Sequence, residues 1–349
     1  MKPATRPSSL DFEKRKKDHI DISLREESQA FVDQFSRVEL QHCALPEIDY
    51  TDVTIGCEVF SSRLKSPLFV SSMTLGHDGA KDINHIMAKL CEERGWMMGV
   101  GSQRRQLFDS HAYSECEALR EQFPHLVLFG NLGLSQVIQT PVEKVQSLVD
   151  SLGAQFLVVH TNPLQEVLQD EGTPQFAGGV EALAQLCAKL GKPVVLKETG
   201  CGFSLKTFEL LSDVGLAAID VSGMGGTHWG RVEGLRLPED SLGYQVAETF
   251  KDWGLSTVDS VLHGNHSSFS GEIWASGGVR NGLEAGKLLV LGASKVGLAR
   301  PILQAALQGE LELAKLMERL ETELKIAMFC LGCAKLPEII GKRDLWVWK

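Results

Sequence analysis

Eight short apolar runs alternate with longer amphipathic segments between Pro67 and Leu298, and this alternation limits the chain to a few folds. Such runs predict buried parallel strands, and the segments between them predict the crossover helices that parallel strands require. Eight units favour a closed (β/α)₈ TIM barrel of the α/β class, because an open doubly wound sheet seldom has so regular a count. The predicted strands are Pro67–Met73, Trp96–Val100, Leu126–Gly130, Phe156–His160, Pro193–Lys197, Ala217–Ser222, Glu272–Ser276 and Lys295–Leu298.

The rest of the chain completes a single-domain prediction. Residues 1–66 are predicted to be an N-terminal extension and residues 67–349 to be the barrel. Helices are expected, for example, at Gly79–Arg94, Thr140–Ser151 and Gly179–Leu190. The stretch from Gly254 to Ser270 is rich in Ser, His and Gly and is predicted to be a long loop, either a lid or mobile.

Composition and charge exclude several classes of protein. The formal net charge of -10 argues against a general nucleic-acid or membrane-surface binder, although a local cationic pocket for a phosphorylated small molecule is compatible with it. No apolar run has the length of a membrane span, and the first residues lack the apolar core of a signal peptide. We therefore expect a cytoplasmic protein with no membrane or nucleic-acid partner.

The eight cysteines are scattered, which predicts reduced core thiols. Cys330 and Cys333 have the spacing of a redox or zinc pair. A zinc site would need a second pair or nearby histidines, and the sequence has neither close by, so buried thiols are favoured.

Polar or glycine-rich residues follow all eight predicted strands. In a barrel the loops after the strands meet at one mouth, so joint placement there favours a single site over eight unrelated turns or caps. The segments are Ser72-Met73-Thr74, Gly101–Arg104, Asn131, His160–Glu166, Lys197-Glu198, Ser222–Thr227, Ser276–Arg280 and Ala299-Arg300. The densest is His160–Glu166, in which an imidazole, two amides and a carboxylate are typical of ligands rather than of packing.

The glycine segments Ser222–Thr227 and Ser276–Arg280 bring main-chain N–H groups close to an anion. With the start of the last barrel helix at Ala299-Arg300, they have the form of a barrel phosphate cradle. Two such segments on adjacent strands favour this interpretation over tight turns alone. Neither fits a Walker loop or the dinucleotide fingerprint.

The residues alone do not decide the role of two cationic features. Lys197 at the mouth could form a Schiff base, neutralise an electron-rich cofactor, or pair with Glu198 or another acid. The run Lys14–His19 is, taken by itself, typical of a solvated helix face.

From about residue 14 to about residue 335 the chain resembles the type 2 isopentenyl-diphosphate isomerases, which are FMN-dependent barrel enzymes. Two motifs are specific to that family, Arg15-Lys16-x-x-His19 and Asn162-Pro163-Leu164-Gln165-Glu166, whereas the glycine segments recur in other FMN barrels. The other matching segments are Met73-Thr74, Gly101–Arg104, Asn131-Leu132-Gly133, His160–Glu166, Lys197-Glu198, Gly223–Glu233 and Ser276–Arg280.

The resemblance implies a division of the site residues. Those implied to hold FMN are Ser72, Met73, Thr74, Ser102, Asn131, Lys197, Thr227, Gly277, Gly278, Arg280, Ala299 and Arg300. Those implied to bind the substrate diphosphate are Arg15, Lys16, Ser102, Gln103, Arg104, His160, Asn162 and Gln165. Glu166 is implied to bind Mg²⁺, and Gln165 and His160 are the catalytic candidates.

The implied reaction interconverts isopentenyl and dimethylallyl diphosphate in isoprenoid biosynthesis, without net oxidation. In the family the reduced flavin is thought to perform acid–base work, so NADPH is needed only to reduce it. Trp229 and Glu233 could shape or assist the apolar end of the substrate, and for Trp229 a packing role is an equal alternative. We also expect a homo-oligomer.

The sequence departs from the family pattern at two positions, and two other functions are alternatives to the isomerase. Leu75 stands where the family commonly has a glycine, and His160-Thr161 replaces a more usual His-Leu. An FMN-dependent 2-hydroxy-acid oxidase or dehydrogenase needs a general-base histidine, commonly in a His-Gly-Gly-Arg context, and no histidine precedes either glycine pair. A barrel that binds a phosphorylated ligand without turnover would leave His160, Gln165 and Glu166 without a task.

Overall fold

The described part of the N-terminal extension contains helix α1 Ser9–Ser23 and the short strands β1 Val38–Leu40, β2 Cys57–Val59 and β3 Ser62–Leu64. The computed structural model describes residues 9–73, 81–109 and 112–349. β2 and β3 pair as an antiparallel hairpin directly before the barrel. No helix within these ranges is long and apolar enough to cross a membrane.

Eight parallel strands close into a barrel, which confirms the predicted fold class. They are β4 Leu68–Val70, β5 Met97–Gly99, β6 Leu128–Gly133, β7 Phe156–His160, β8 Val194–Lys197, β9 Ala218–Asp220, β10 Glu272–Ser276 and β11 Lys295–Leu298. β6 extends to Gly133, beyond its predicted end, because it pairs with β7 as far as His160. β9 ends at Asp220, before Ser222 takes a positive φ of 36°.

Helices follow the strands and surround the barrel. They are α2 Lys81–Arg94, α3 Ala112–Gln122, α4 Leu134–Gln139, α5 Val142–Ser151, α6 Pro163–Leu168, α7 Gly179–Lys189, α8 Leu205–Leu210, α9 Trp229–Leu235, α10 Leu242–Thr249, α11 Thr257–His266, α12 Gly282–Val290, α13 Arg300–Gln308 and α14 Glu310–Cys330. A last strand, β12 Trp346–Trp348, pairs antiparallel with β1.

The predicted loop from Gly254 to Ser270 is wrong, because most of this stretch is helix α11. The Ser256 side chain accepts a hydrogen bond from the N–H of Asp259, which caps the first turn. Val258 and Val261 are buried one turn apart and fix the helix against the barrel. These two local signals, a cap and an apolar stripe, outweigh the Ser and Gly content of the segment.

An aromatic core fills the lower half of the barrel. Phe129 and Phe156 stack with ring centroids 4.8 Å apart, and the Trp274 ring lies edge-on to Phe156 at 5.5 Å. Phe60, in the β2–β3 hairpin, packs against Phe156 and Trp274. Because Phe156 is the first residue of β7, the hairpin closes the amino ends of the strands and leaves the carboxyl ends open.

The N-terminal extension lies over this open mouth. The main-chain N–H of Ala30 donates to the carbonyl of Gly226, and the N–H of His228 donates to the carbonyl of Ser28. Gln29 adds a side-chain bond to the Thr227 hydroxyl at 3.2 Å. These bonds fix the start of the chain to a glycine segment of the barrel and bring α1 against α9.

Candidate active site

Register and the period of two along each strand place four polar side chains inside the mouth. Phe156 and Val158 point into the barrel, so His160 does as well, and Val195 and Ala218 place Lys197 and Asp220 in the same way. His160 is the register partner of Lys197, and Lys197 is the register partner of Asp220. Ser276, two residues after the inward Trp274, completes the set.

Two adjoining cavities open above this layer. The larger has a volume of about 370 Å³ and lies between the two glycine segments and the start of α13. The smaller has a volume of about 140 Å³ and lies between α1, α6 and the loop after β5. Residues that line both cavities are Lys16, His19, Ser72, Met73, Lys197, Thr199 and Trp229.

Most residues that the resemblance implies fall on these cavities. The larger cavity is lined by Ser72, Met73, Lys197, Thr227, Gly277, Gly278, Arg280, Ala299 and Arg300. The smaller is lined by Arg15, Lys16, Ser102, Arg104, Asn131, His160, Asn162, Gln165 and Glu166. Ser102 and Asn131, implied to hold the cofactor, line the smaller cavity only. Thr74 and Leu75 lie outside the described residues.

The structure does not support the predicted substrate contact through the Gln103 side chain. Its side chain is fully buried and lines neither cavity. The amide donates to Gln106 Oε1 and to the Leu148 carbonyl, and it accepts from the N–H of Asn131. Gln103 therefore supports the end of β6, since its amide NH₂ group and its amide oxygen both bond to the protein.

The two glycine segments pack main chain against main chain. Gly277 and Gly278 have φ values of 102° and 82°, and a Cβ on Gly278 would lie 2.4 Å from the Gly225 carbonyl oxygen. The Arg280 guanidinium braces both segments by donating to the carbonyls of Gly278 and Gly225. The larger cavity therefore has a floor of bare main chain, as a phosphate site requires.

Buried polar atoms around the larger cavity fit an FMN molecule. The hydroxyls of Ser71 and Ser72 and the Nε of Arg300 are buried without a hydrogen-bond partner among the residues that the structure describes. Arg300 Nη2 donates to the Leu24 carbonyl and to Glu26 Oε1 of the N-terminal extension. Buried polar atoms are normally satisfied, so two hydroxyls and one guanidinium N–H at the cavity fit a polar ligand.

Three acceptors surround the Lys197 ammonium. It donates to the Glu198 carbonyl at 2.9 Å and to Ser276 Oγ at 3.0 Å, and it lies 3.2 Å from Asp220 Oδ2. Glu198 Oε2 instead accepts from the main-chain N–H groups of Thr199 and Gly200. Of the alternatives left open by the sequence, an ion pair is favoured, and its partner is Asp220.

The smaller cavity collects positive charge on a protein of negative net charge. Arg15, Lys16 and Arg104 line it together with Lys197. Burial lowers the pKa of Arg15, and the nearby Arg104 lowers it further. Like charges held this close make the cavity suitable for a polyanion, because bound phosphate oxygens would relieve their repulsion.

His160 is a neutral imidazole at the base of this cavity. Its Nδ1 lies 2.9 Å from Asn131 Oδ1, and an amide oxygen only accepts, so Nδ1 carries the proton. Burial lowers the pKa of His160 to about 4, with added repulsion from Lys16, Lys197 and Arg104. A bound anion would offset this repulsion.

The lowered pKa of His160 makes the stability of the protein depend on pH. In the unfolded chain His160 is protonated below its ordinary pKa of 6.5, whereas in the folded protein it stays neutral down to about pH 4. Protonation therefore favours the unfolded state, and the unfolding free energy falls as the pH falls from 6.5 to 4. We expect the wild type to lose about 2.5 kcal/mol more unfolding free energy than His160→Gln between pH 7 and pH 4.5. Urea unfolding of both proteins at the two pH values measures this, and equal losses would contradict it.

Helix α6 places its polar residues directly after β7. Pro163 occupies the first turn, which fixes the start of the helix at the strand end. The Asn162 amide donates to Gln165 Oε1 at 2.5 Å, and Gln165 Nε2 donates to Glu233 Oε1 at 2.8 Å. Gln165 is therefore held at both ends of its amide while it lines the cavity.

Glu166 has a geometry that fits one ligand of a hard cation. It is buried, lines the smaller cavity, and accepts the N–H of Thr173 at Oε2. The described residues contain no group of three or more His, Cys, Asp or Glu side chains that could hold a metal. Mg²⁺ commonly uses one or two carboxylates and completes its shell with water and substrate phosphates, so a single carboxylate beside a cationic pocket is sufficient. Elsewhere in the fold, the Cys333 thiol is buried and its Sγ contacts the Leu331 and Glu338 carbonyls.

Glu233, to which the sequence assigned no definite role, is the centre of a network of polar side chains. It is buried and lies 3.0 Å from His19 Nε2, 2.8 Å from Gln165 Nε2 and 2.6 Å from Arg236 Nη1. Burial alone would raise the pKa of Glu233, but the bonds from His19, Arg236 and Gln165 outweigh it and lower the pKa. His19 lies one helical turn after Arg15 in α1. This spacing in the charged run of the sequence could have predicted that His19 lies on the same helix face as Arg15.

Solved structures share the fold. A mandelate oxidase carrying a monooxide FMN adduct aligns with a TM-score of 0.61 and 19% identity, over 95% of this chain and 92% of that chain. A flavocytochrome b2 variant with benzoylformate aligns with a TM-score of 0.68 and 19% identity, over 96% of this chain and 82% of that chain. At this identity the likeness shows the fold alone.

Sequence comparisons identify the family. Residues 117–347 match the family described as FMN-dependent dehydrogenase. Proteins named isopentenyl-diphosphate delta-isomerase are 49% identical in Bdellovibrio bacteriovorus, over 96% of this chain and 98% of the relative, and 46% identical in Legionella pneumophila (strain Lens), over 95% and 97%. A relative of the same name in Methanoregula boonei is 38% identical over 93% and 91%. The chain therefore belongs to the type 2 isopentenyl-diphosphate delta-isomerases, the branch of that activity built on the FMN-dependent dehydrogenase barrel.

Proposed function

We propose that the protein interconverts isopentenyl diphosphate and dimethylallyl diphosphate, with FMN in the larger cavity and the substrate diphosphate in the smaller one. The observation that carries this proposal is the contact between the two cavities. One offers a glycine floor and unpartnered hydroxyls, and the other offers clustered cations beside a buried carboxylate. An isoprenoid diphosphate needs the second site for its head and the boundary between the two sites for its tail.

Binding at the head would orient the reacting tail. Guanidinium groups of Arg15 and Arg104 and the ammonium of Lys16 suit phosphate oxygens, and Asn162 and Gln165 add amide groups. Anchoring a charged handle far from the reacting carbons lets binding energy fix the geometry of a small apolar group. Trp229, which lines both cavities and meets His19 edge-to-face at 5.1 Å, would exclude water from that group.

The reaction adds a proton to one carbon and removes a proton from another. When bound and reduced, FMN would supply this acid–base chemistry. His160 and Gln165 remain the catalytic candidates of the protein, and both are held by neighbours, His160 by Asn131 and Gln165 by Asn162 and Glu233. The lowered pKa favours neutral His160, whose unprotonated Nε2 cannot donate to a phosphate oxygen, so His160 would take up a proton at Nε2 when the anion binds and then donate to it.

The remaining parts of the proposal concern the metal, the reductant and the assembly. Glu166 would hold Mg²⁺ together with diphosphate oxygens, and NADPH would serve only to reduce the flavin.

We propose one FMN-binding domain made of the extension, residues 1–66, and the barrel, residues 67–349, because α1 supplies Arg15 and Lys16 to the mouth. We also propose a cytoplasmic homo-oligomer, for which the exposed Leu242 and Trp253 offer apolar surface.

A 2-hydroxy-acid oxidase remains the second candidate because its members share the fold. Such an enzyme needs a histidine base beside the flavin. His228, which follows the first glycine segment, is buried, lines neither cavity, and uses both ring nitrogens on Arg231 and Trp253. This arrangement disfavours the oxidase.

The purified protein is expected to be yellow. With isopentenyl diphosphate, Mg²⁺ and a reductant under anaerobic conditions, it is expected to form dimethylallyl diphosphate, detected by chromatography. Lack of this product while reduced FMN stays bound would overturn the proposed function. Oxygen consumption with a 2-hydroxy acid would support the oxidase instead.

A further inference from the structure

A buried carboxylate lies behind the boundary of the two cavities. Asp220, the last residue of β9, is 1% exposed and lines neither cavity. Lys197 lines both cavities and Ser276 lines the larger one. Any effect of Asp220 on a ligand would therefore pass through the two side chains in front of it.

Asp220, Ser276 and Lys197 form a closed triangle of hydrogen bonds. The Ser276 hydroxyl lies 2.8 Å from Asp220 Oδ1 and donates to that carboxylate, so its lone pair is left to accept from Lys197 Nζ at 3.0 Å. Lys197 Nζ lies 3.2 Å from Asp220 Oδ2. Because Lys197 and Asp220 are register partners on neighbouring strands, the barrel itself fixes the pair.

The three acceptors of Lys197 differ in charge. The Glu198 carbonyl and the Ser276 hydroxyl are neutral groups, whereas Asp220 offers a carboxylate. The Glu198 carboxylate is also buried, but its Oε2 is occupied by the main-chain N–H groups of Thr199 and Gly200. Asp220 is therefore the counter-ion in direct contact with the ammonium, and in a poorly solvated site such a charge acts strongly.

We propose that Asp220 is a positioning residue that restrains Lys197 at the boundary of the two cavities, where Lys197 would contact FMN, and that it offsets part of the lysine charge. The proposal rests on the FMN site of the proposed function. An uncompensated cation there would favour the anionic form of reduced flavin strongly. With Asp220 beside it, Lys197 stabilises the anionic reduced flavin less, so the reduction potential of the flavin is lower and the pKa of the reduced flavin is higher. General acid–base catalysis requires a group whose pKa lies near the working pH.

Asp220→Asn removes the charge and keeps the shape. The reduction potential of bound FMN, measured anaerobically against a reference dye during dithionite titration, is expected to rise by about 30 mV, which corresponds to a tenfold change for a two-electron couple. In pH titrations followed by the absorbance of the reduced protein, the reduced flavin is expected to lose its proton about one pH unit lower, the same tenfold change.

Glu272→Gln is the matched control. Glu272 lies 3.4 Å from the buried Lys295, so this variant also removes one negative charge from a lysine pair in the same barrel. The pair lies at the start of β10 and β11, at the end closed by the hairpin. The potential of this variant is expected to match that of the wild type, and equal shifts in the two variants would overturn the proposal.

A double variant tests whether Asp220 acts through Lys197. In Lys197→Met the ammonium through which Asp220 is proposed to act is absent. Lys197→Met and the double variant are therefore expected to have equal potentials. A tenfold difference between them would mean that Asp220 acts on the flavin directly, and would overturn the positioning role.

This comparison also serves if Asp220→Asn alone fails to hold FMN, because neither lysine-free variant contains an unpaired lysine. The two proposals fail separately. A wild-type protein that binds no FMN contradicts the proposed function, whereas a wild-type flavoprotein whose potential is unchanged by Asp220→Asn contradicts only the role of Asp220.

Discussion

Replacing Glu166 with Gln is expected to reduce Mg²⁺-dependent turnover by about a hundredfold or more, since a metal ion supplies several kcal/mol of charge stabilisation in such reactions. Glutamine keeps the size of the side chain and can still accept the N–H of Thr173. It lacks the negative charge that attracts a hard cation. The measurement is the initial rate as a function of Mg²⁺ concentration, with the flavin absorbance recorded to show that FMN stays bound.

Glu181→Gln provides the matched control for this experiment. Glu181 is an exposed residue of α7 that pairs with Gln185 and lines neither cavity. This variant is expected to keep the wild-type rate and Mg²⁺ dependence. If Glu166→Gln also keeps them, Glu166 is not a ligand of the metal.

Replacing Glu233 with Gln is expected to lower the unfolding free energy by about 3 to 5 kcal/mol, the usual result of removing one partner from a buried ion pair. Gln165 Nε2 and Arg236 Nη1 donate to the two carboxylate oxygens, and His19 Nε2 lies 3.0 Å from Oε1. The glutamine NH₂ group would face one of these donors, and that position would then have no acceptor. Turnover is expected to fall at least tenfold because the Gln165 amide loses its charged acceptor and is held less firmly at the cavity.

Glu171→Gln separates this network from an ordinary ion pair. Glu171 contacts the other edge of Arg236 at 3.1 Å, and its side chain is 35% exposed. Because Glu171 is much more exposed than Glu233, water screens its charge, and urea unfolding at pH 7 is expected to show a smaller loss for this variant, about 1 kcal/mol. Equal losses for the two variants would show that Glu233 is no more important to stability than Glu171.

Local patterns along the chain were enough to predict the barrel. A buried parallel strand is a short apolar run, and eight runs with helical segments between them leave few other arrangements. The predicted bounds of Phe156–His160, Glu272–Ser276 and Lys295–Leu298 agree with the strands of the structure. Bounds shifted where pairing continued past the apolar run, as in β6, because pairing depends on the neighbouring strand.

Predictions failed where they rested on the composition of a segment and did not take into account which residues its side chains contact. Ser and Gly content suggested a loop after Gly254, although Ser256 caps a helix and two valines bury its inner face. Gln103 belongs to a segment that enters the mouth, yet its own amide turns inward to support Asn131. Adjacent residues can face opposite directions, and a motif does not record which of its members does so.

The sequence by itself determined the fold class, the order of the strands, the family, and the identity of the polar residues after each strand. Those properties depend on periodicity and on motifs that neighbouring residues carry. Only the tertiary structure decided the partners: Asp220 rather than Glu198 for Lys197, Asn131 for His160, and Glu233 for His19 and Gln165. Such pairs join residues that are far apart in the chain, and they are fixed by barrel register and by the packing of α1 over the mouth, which no local pattern encodes.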